Sequence, residues 1–169
     1  MRRWFLGVAI ALAVVPAFTD SAAATTPSPA TAAADAQAVY QLINRERAAN
    51  FVRTLNWNSH LALAAHDHNL LMAKYDMLSH QLPGEKPLGA RVTATGYAWR
   101  AVAENIGETP DWSLDGILAL HRMMYREAPP NDPHRRNILN PVFRGVGVDV
   151  YMDGRHHVAW LTEVFAQPG

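Results

Sequence analysis

Eight histidines stand in a chain of 169 residues that has no cysteine. Two of them, and one carboxylate, have the surroundings of a site. His80 falls in Ser79-His80-Gln81, just past a helix-periodic stretch, and loops near element ends carry chemistry more often than element centres do. His134 opens a short turn after a proline-rich stretch, in Pro133-His134-Arg135-Arg136-Asn137. Glu104 lies among apolar neighbours in Ala103-Glu104-Asn105-Ile106-Gly107. A carboxylate drawn out of water needs a partner or takes a raised pKa. Two imidazoles and a carboxylate suit either of two chemistries. They can hold a zinc-like divalent ion with open positions, or form a histidine–carboxylate hydrogen-bond network without metal.

The other histidines read more plainly. His66 and His68 are two apart on a helix and face different ways, with His68 toward the core. His156 and His157 are adjacent in an expected strand and point to opposite faces. The absence of cysteine excludes a thiol nucleophile, a thiolate metal site and a disulfide scaffold. No serine stands in a Gly-x-Ser-x-Gly elbow.

These residues must be placed by an α+β arrangement, since helical periodicity dominates early and strand alternation comes last. Asp35 is the expected cap of a first helix, with Ala38, Val39, Leu42 and Ile43 at three-to-four spacing. Leu55-Asn56-Trp57-Asn58 interrupts it, and Trp57 reads as a loop anchor. A second helix begins after Asn58 or Ser59 and is expected to end near Ser79. A shorter one runs from Pro87 to Thr95, closed by Gly96. Trp99 to Ile106 reads as a strand, Leu114 to Tyr125 as a helix, and His134 to Leu139 as a helical turn. Residues 145–151 alternate, and His156 to Phe165 returns after an Asp-Gly turn, which is a hairpin signal.

The start of the chain reads as an export signal. Met1-Arg2-Arg3 is basic, Trp4 to Val15 apolar, and Ser21-Ala22-Ala23-Ala24 small, which predicts a signal peptide over 1–24 with cleavage near Thr25. The apolar run is short for a bilayer span, which takes about 20 apolar residues. Residues 25–34, rich in Thr, Pro and Ala, are expected to be flexible, and 35–169 to form one domain. A formal net charge of zero gives no general pull on nucleic acid or anionic lipid.

Several segments, in order, resemble the CAP superfamily, also called the SCP domain family. They are Leu42-Ile43-Asn44-Arg45-Glu46-Arg47, Met77-Leu78-Ser79-His80, Gly96-Tyr97, Ala103-Glu104-Asn105-Ile106-Gly107, His134-Arg135-Arg136-Asn137-Ile138-Leu139, Gly145-Val146-Gly147-Val148 and Trp160-Leu161-Thr162-Glu163-Val164-Phe165-Ala166. The resemblance implies a three-layer α-β-α sandwich with a central antiparallel sheet of three or four strands. It also implies a cleft with two histidines, His80 and His134, and two acidic residues, of which Glu104 is one. Glu127 is the nominee for the other, with Asp132 and His121 as alternatives. In the family the two histidines hold zinc or a similar divalent cation, which makes His80 and His134 the expected metal ligands. The expected function is secretion of a domain whose cleft binds a lipid, glycan or protein ligand. One alternative is a metal-assisted peptide or ester hydrolase with Glu104 as general base; another is a structural envelope protein without catalysis.

Overall fold

The computed structural model describes residues 27–169, so the expected signal over 1–24 lies outside the described residues. The elements follow in the order α1 (Pro29–Ala49), β1 (Asn56–Trp57), α2 (Ser59–Tyr75), α3 (Leu88–Ala94), β2 (Trp99–Thr109), α4 (Leu114–Tyr125), α5 (Pro133–Ile138), β3 (Gly145–Asp153) and β4 (Val158–Pro168). The helix α1 begins earlier than its apolar period suggests. Ser28 is its N-cap, accepting from the Thr31 N–H, and Pro29 sits at the first helical position. Residues 29–34 are therefore helical rather than flexible, and Asp35 lies inside the helix, buried, rather than capping it. The alanines of this stretch have the highest helix propensity, which a reading for apolar periodicity alone overlooks.

The sheet has four strands in the order β1-β3-β4-β2. β3 pairs antiparallel with β4, and β4 with β2. The sheet is mixed rather than wholly antiparallel, because Asn56 and Trp57 pair parallel with Gly145 and Val146. Trp57 is thus a strand residue, not a loop anchor. The β3–β4 hairpin turns over Gly154 to His157, so both adjacent histidines belong to the turn and not to a strand.

Alternation along the strands divides the interior into two layers. Val146, Val148 and Val150 of β3 and Leu161 and Phe165 of β4 meet α1 and α4 through Val39, Ile43 and Ile117. Val164 and Ala166, on the other face of β4, meet Leu61, Ala64 and Ala65 of α2 and Val92 of α3. Trp160 and Ile106 meet Met72 and Leu82 on that same face. The result is the α-β-α sandwich that the resemblance implies. The close approach of α2 depends on Gly147. A Cβ there would lie 2.0 Å from the Ala62 nitrogen, so any side chain would push helix and strand apart.

β2 is the edge strand that positions the site. Ile106 packs into the α2 layer, while Gly107 faces Leu120 and Met124 of α4. By the same alternation Glu104 faces α2 and α3, and Asn105 faces α4 and α5.

Candidate functional site

α2 ends at Tyr75, four residues before the expected limit, with Asp76 in the left-handed conformation and its N–H bonded to the Met72 carbonyl. The chain then runs as a loop, which leaves His80 exposed over about half its side chain, with Nδ1 3.0 Å from Glu104 Oε1. Gly84, at φ 75°, lets this loop reverse. The reversal returns Glu85 to the interior, where it is 3% exposed and meets His68 Nδ1 at 2.7 Å. Arg91, from α3, donates to Glu104 at 3.0 Å and lies 3.3 Å from Glu85. His68 Nε2 lies 3.6 Å from Glu104. Two buried carboxylates thus share one guanidinium and one imidazole, with His80 at the solvent end.

The second half of the site lies past α4. Glu127 Oε1 meets His134 Nδ1 at 2.5 Å, and Glu127 Oε2 accepts the His134 backbone N–H at 2.9 Å. Burial raises the Glu127 pKa, but hydrogen bonds from the His134 ring and backbone outweigh it and hold the carboxyl below its ordinary value. The two pairs are joined through β2 and α5. Asn137 donates to the Glu104 carbonyl at 3.3 Å and to Asn105 Oδ1 at 2.8 Å, and Asn105 donates to the His134 carbonyl at 3.3 Å. Beside His134 and Glu127 opens a mostly apolar groove of about 270 Å³, walled by Leu78, Ile106, Leu120 and Met123.

The expected site residues are therefore grouped as two histidine–glutamate pairs, His80–Glu104 and His134–Glu127. Glu127 is the partner of His134. Asp132 pairs with Arg136 at 3.4 Å and takes no part. His121 is wholly buried on the opposite side of the sheet from Glu104, between Glu163 Oε1 at 2.5 Å and Glu46 Oε2 at 2.8 Å. Burial opposes its charge, yet the two carboxylates outweigh it and push its pKa to about 10. Glu163 also accepts from Asn105 at 3.0 Å, which ties this buried triad to the site.

Sequence reasoning missed Glu85 and Arg91. The signal for Glu85 was present, since Pro83-Gly84 after His80 demands a reversal that brings the next residue back. Nothing in the sequence marks Arg91 among the 15 basic residues.

A divalent ion would be held by the Nε2 atoms of His80 and His134, because each Nδ1 already meets a carboxylate, an outer-shell arrangement usual for metal-bound histidine. Among the described residues no group of three or more His, Asp or Glu side chains converges as a metal site. Two imidazole nitrogens alone would leave at least two positions of a tetrahedral ion to water.

Comparison with solved structures finds the same fold in three bacterial proteins. An extracellular SCP-domain protein from Bacillus anthracis is 24% identical with a TM-score of 0.70, covering 85% of this chain and 45% of its own. An outer surface protein from Borrelia burgdorferi is 13% identical with a TM-score of 0.68, covering 80% and 94%. A cysteine-rich secretory protein from Staphylococcus aureus is 19% identical with a TM-score of 0.61, covering 83% and 41%. This chain thus spans less than half the length of the Bacillus and Staphylococcus proteins. No curated protein sequence matches it. The model of the cysteine-rich secretory protein family, CAP, matches residues 40–165, and the chain belongs to that family.

Proposed function

We propose that this chain is an exported CAP domain that binds a ligand in the cleft between His80 and His134. The observation that carries the reading is that both imidazoles have Nδ1 held by a carboxylate, Glu104 or Glu127, and that His134 and Glu127 line an open apolar groove. A carboxylate on Nδ1 fixes the tautomer and leaves Nε2 to meet a ligand or an ion. Export is supported by the basic, apolar and small-residue order of the first 24 residues. Among the described residues no helix is long and apolar enough to cross a membrane.

The geometry favours binding over hydrolysis. As a general base Glu104 would have to take a proton from water, yet its oxygens face Arg91, His80 and His68. They and the core around them leave its side chain 2% exposed, turned away from the water it would have to activate. A zinc or similar ion on the two Nε2 atoms would add a Lewis-acidic contact for a polar ligand group.

The test is zinc titration by calorimetry on the mature chain, with His80→Ala and His134→Ala singly and together. The expected result is one weak site, reduced by each single change and lost in the double variant. Zinc binding unchanged in the double variant would overturn the two-histidine site. A lipid, glycan or protein ligand that stayed bound to the double variant would overturn the cleft as its binding place.

A further inference from the structure

β2 is an 11-residue strand at the edge of the sheet. Which backbone groups lie on that edge follows from the pairing. The Ala166 carbonyl accepts from Arg144 N on the β3 side, so even-numbered β4 residues turn toward β3 and odd-numbered ones toward β2. Glu163 and Leu161 stand opposite Asn105 and Gly107, so these odd-numbered β2 residues bond inward. Glu104, Ile106 and Glu108 then turn their N–H and C=O groups outward. The bond from Asn137 to the Glu104 carbonyl confirms that direction independently. α5 covers the edge at Glu104. At Ile106 and Glu108 the outward N–H and C=O groups have no partner among the described residues.

Proteins commonly blunt such an edge with lysine, proline, a bulge or a covering segment. β2 has neither lysine nor proline, and its pairing irregularity lies at the far end, between Trp99 and Ala101. Ile106, Gly107 and Glu108 instead border the open groove that ends at His134 and Glu127. On its other side stand Met123, 65% exposed, and Leu78, 44% exposed. Glu108 is exposed, with no ion pair among the described residues.

We propose that this edge is a docking site for an extended stretch of another polypeptide, which adds to β2 as a further strand. The alternating N–H and C=O groups of Ile106 and Glu108 match a peptide backbone. The apolar wall takes alternate side chains, and the carboxylate of Glu108, unpaired among the described residues, favours a basic residue in the peptide. The inference rests on the reading of the cleft as a ligand site and names the class of its ligand.

The test uses the mature chain and a capped peptide, Thr-Lys-Val-Thr-Val-Lys-Thr, followed by amide NMR and hydrogen exchange. The expected result is shifts and slowed exchange centred on Ile106 and Glu108. Methylating alternate peptide nitrogens should abolish binding, and this arm needs no variant protein. Glu108→Pro removes one outward N–H at an edge that tolerates proline, and should weaken binding about tenfold. Glu108→Gln removes only charge and should weaken it about twofold. Equal binding by the methylated peptide, or shifts elsewhere, overturns the proposal. Concentration-dependent self-association through this edge, lost in Glu108→Pro, also overturns it in favour of a second copy of the chain. The His80→Ala, His134→Ala double variant separates the two readings. Peptide still bound at the edge with zinc lost leaves the edge standing without the histidines, and zinc retained by wild type with no peptide bound does the reverse.

Discussion

Glu104 and Asn105 are neighbours in the chain, yet they serve two different histidine–carboxylate clusters on opposite faces of β2. On the α2 side, Glu104 leads through His80 to solvent, and His80 is about half exposed. On the α4 side, Asn105 leads to Glu163, His121 and Glu46, and the imidazole is wholly sealed. The same residue types do different work because of water. An exposed imidazole held by a carboxylate at Nδ1 can offer Nε2 to a ligand. A sealed imidazolium between two carboxylates cannot change its charge without leaving buried charges unpaired.

The largest expected effect is in the sealed cluster. His121→Ala leaves two carboxylates facing each other in the core and should cost about 3–5 kcal/mol in urea unfolding. A loss below about 1 kcal/mol would mean that the triad is not ionised as drawn. The pH dependence of stability comes next. His121 holds its proton up to about pH 10 when folded, against an ordinary value of 6.5. Its contribution is therefore full below about 6.5 and is lost as pH rises through about 10. Urea midpoints should fall between about pH 6 and about pH 9 in wild type, and fall less in a folded variant without His121.

The half-buried pair ranks third. Glu127→Gln keeps the size of the side chain but loses a charge-assisted bond to His134, and should cost about 1–2 kcal/mol. The Glu127 carboxyl is held below its ordinary value of 4.5, so its contribution is present above that value and lost as pH falls below it. A variant whose acid unfolding matched wild type would remove Glu127 from that account. The smallest stability effect belongs to the open cluster. His80→Ala should change unfolding by no more than about 0.5 kcal/mol while reducing zinc affinity in the titration described above. A large loss of stability there would erase the distinction between the open and sealed clusters.

Much of this was legible without coordinates. The strand carrying Glu104, the helix Leu114–Tyr125 and the short helix at His134 were set by local periodicity and by the prolines that end them. His80, Glu104 and His134 stood out because loop ends and an apolar strand are unusual places for such groups. The start of α1 escaped because its first turns are alanines, which favour helix without any apolar stripe. The pairing of β1 escaped because two residues carry no periodicity.

The sequence by itself determined the element types, the split between the two faces of each strand, and which titratable groups fall near element ends. Those follow from backbone geometry and from periods of 3.6 and 2 residues. Only the tertiary structure decided which histidine met which carboxylate. Glu85 reaches His68 and Arg91 across a reversed loop, and Glu163 reaches His121 across 42 residues of chain. Whether each pair faces water is settled by what packs over it, and no local pattern encodes that covering.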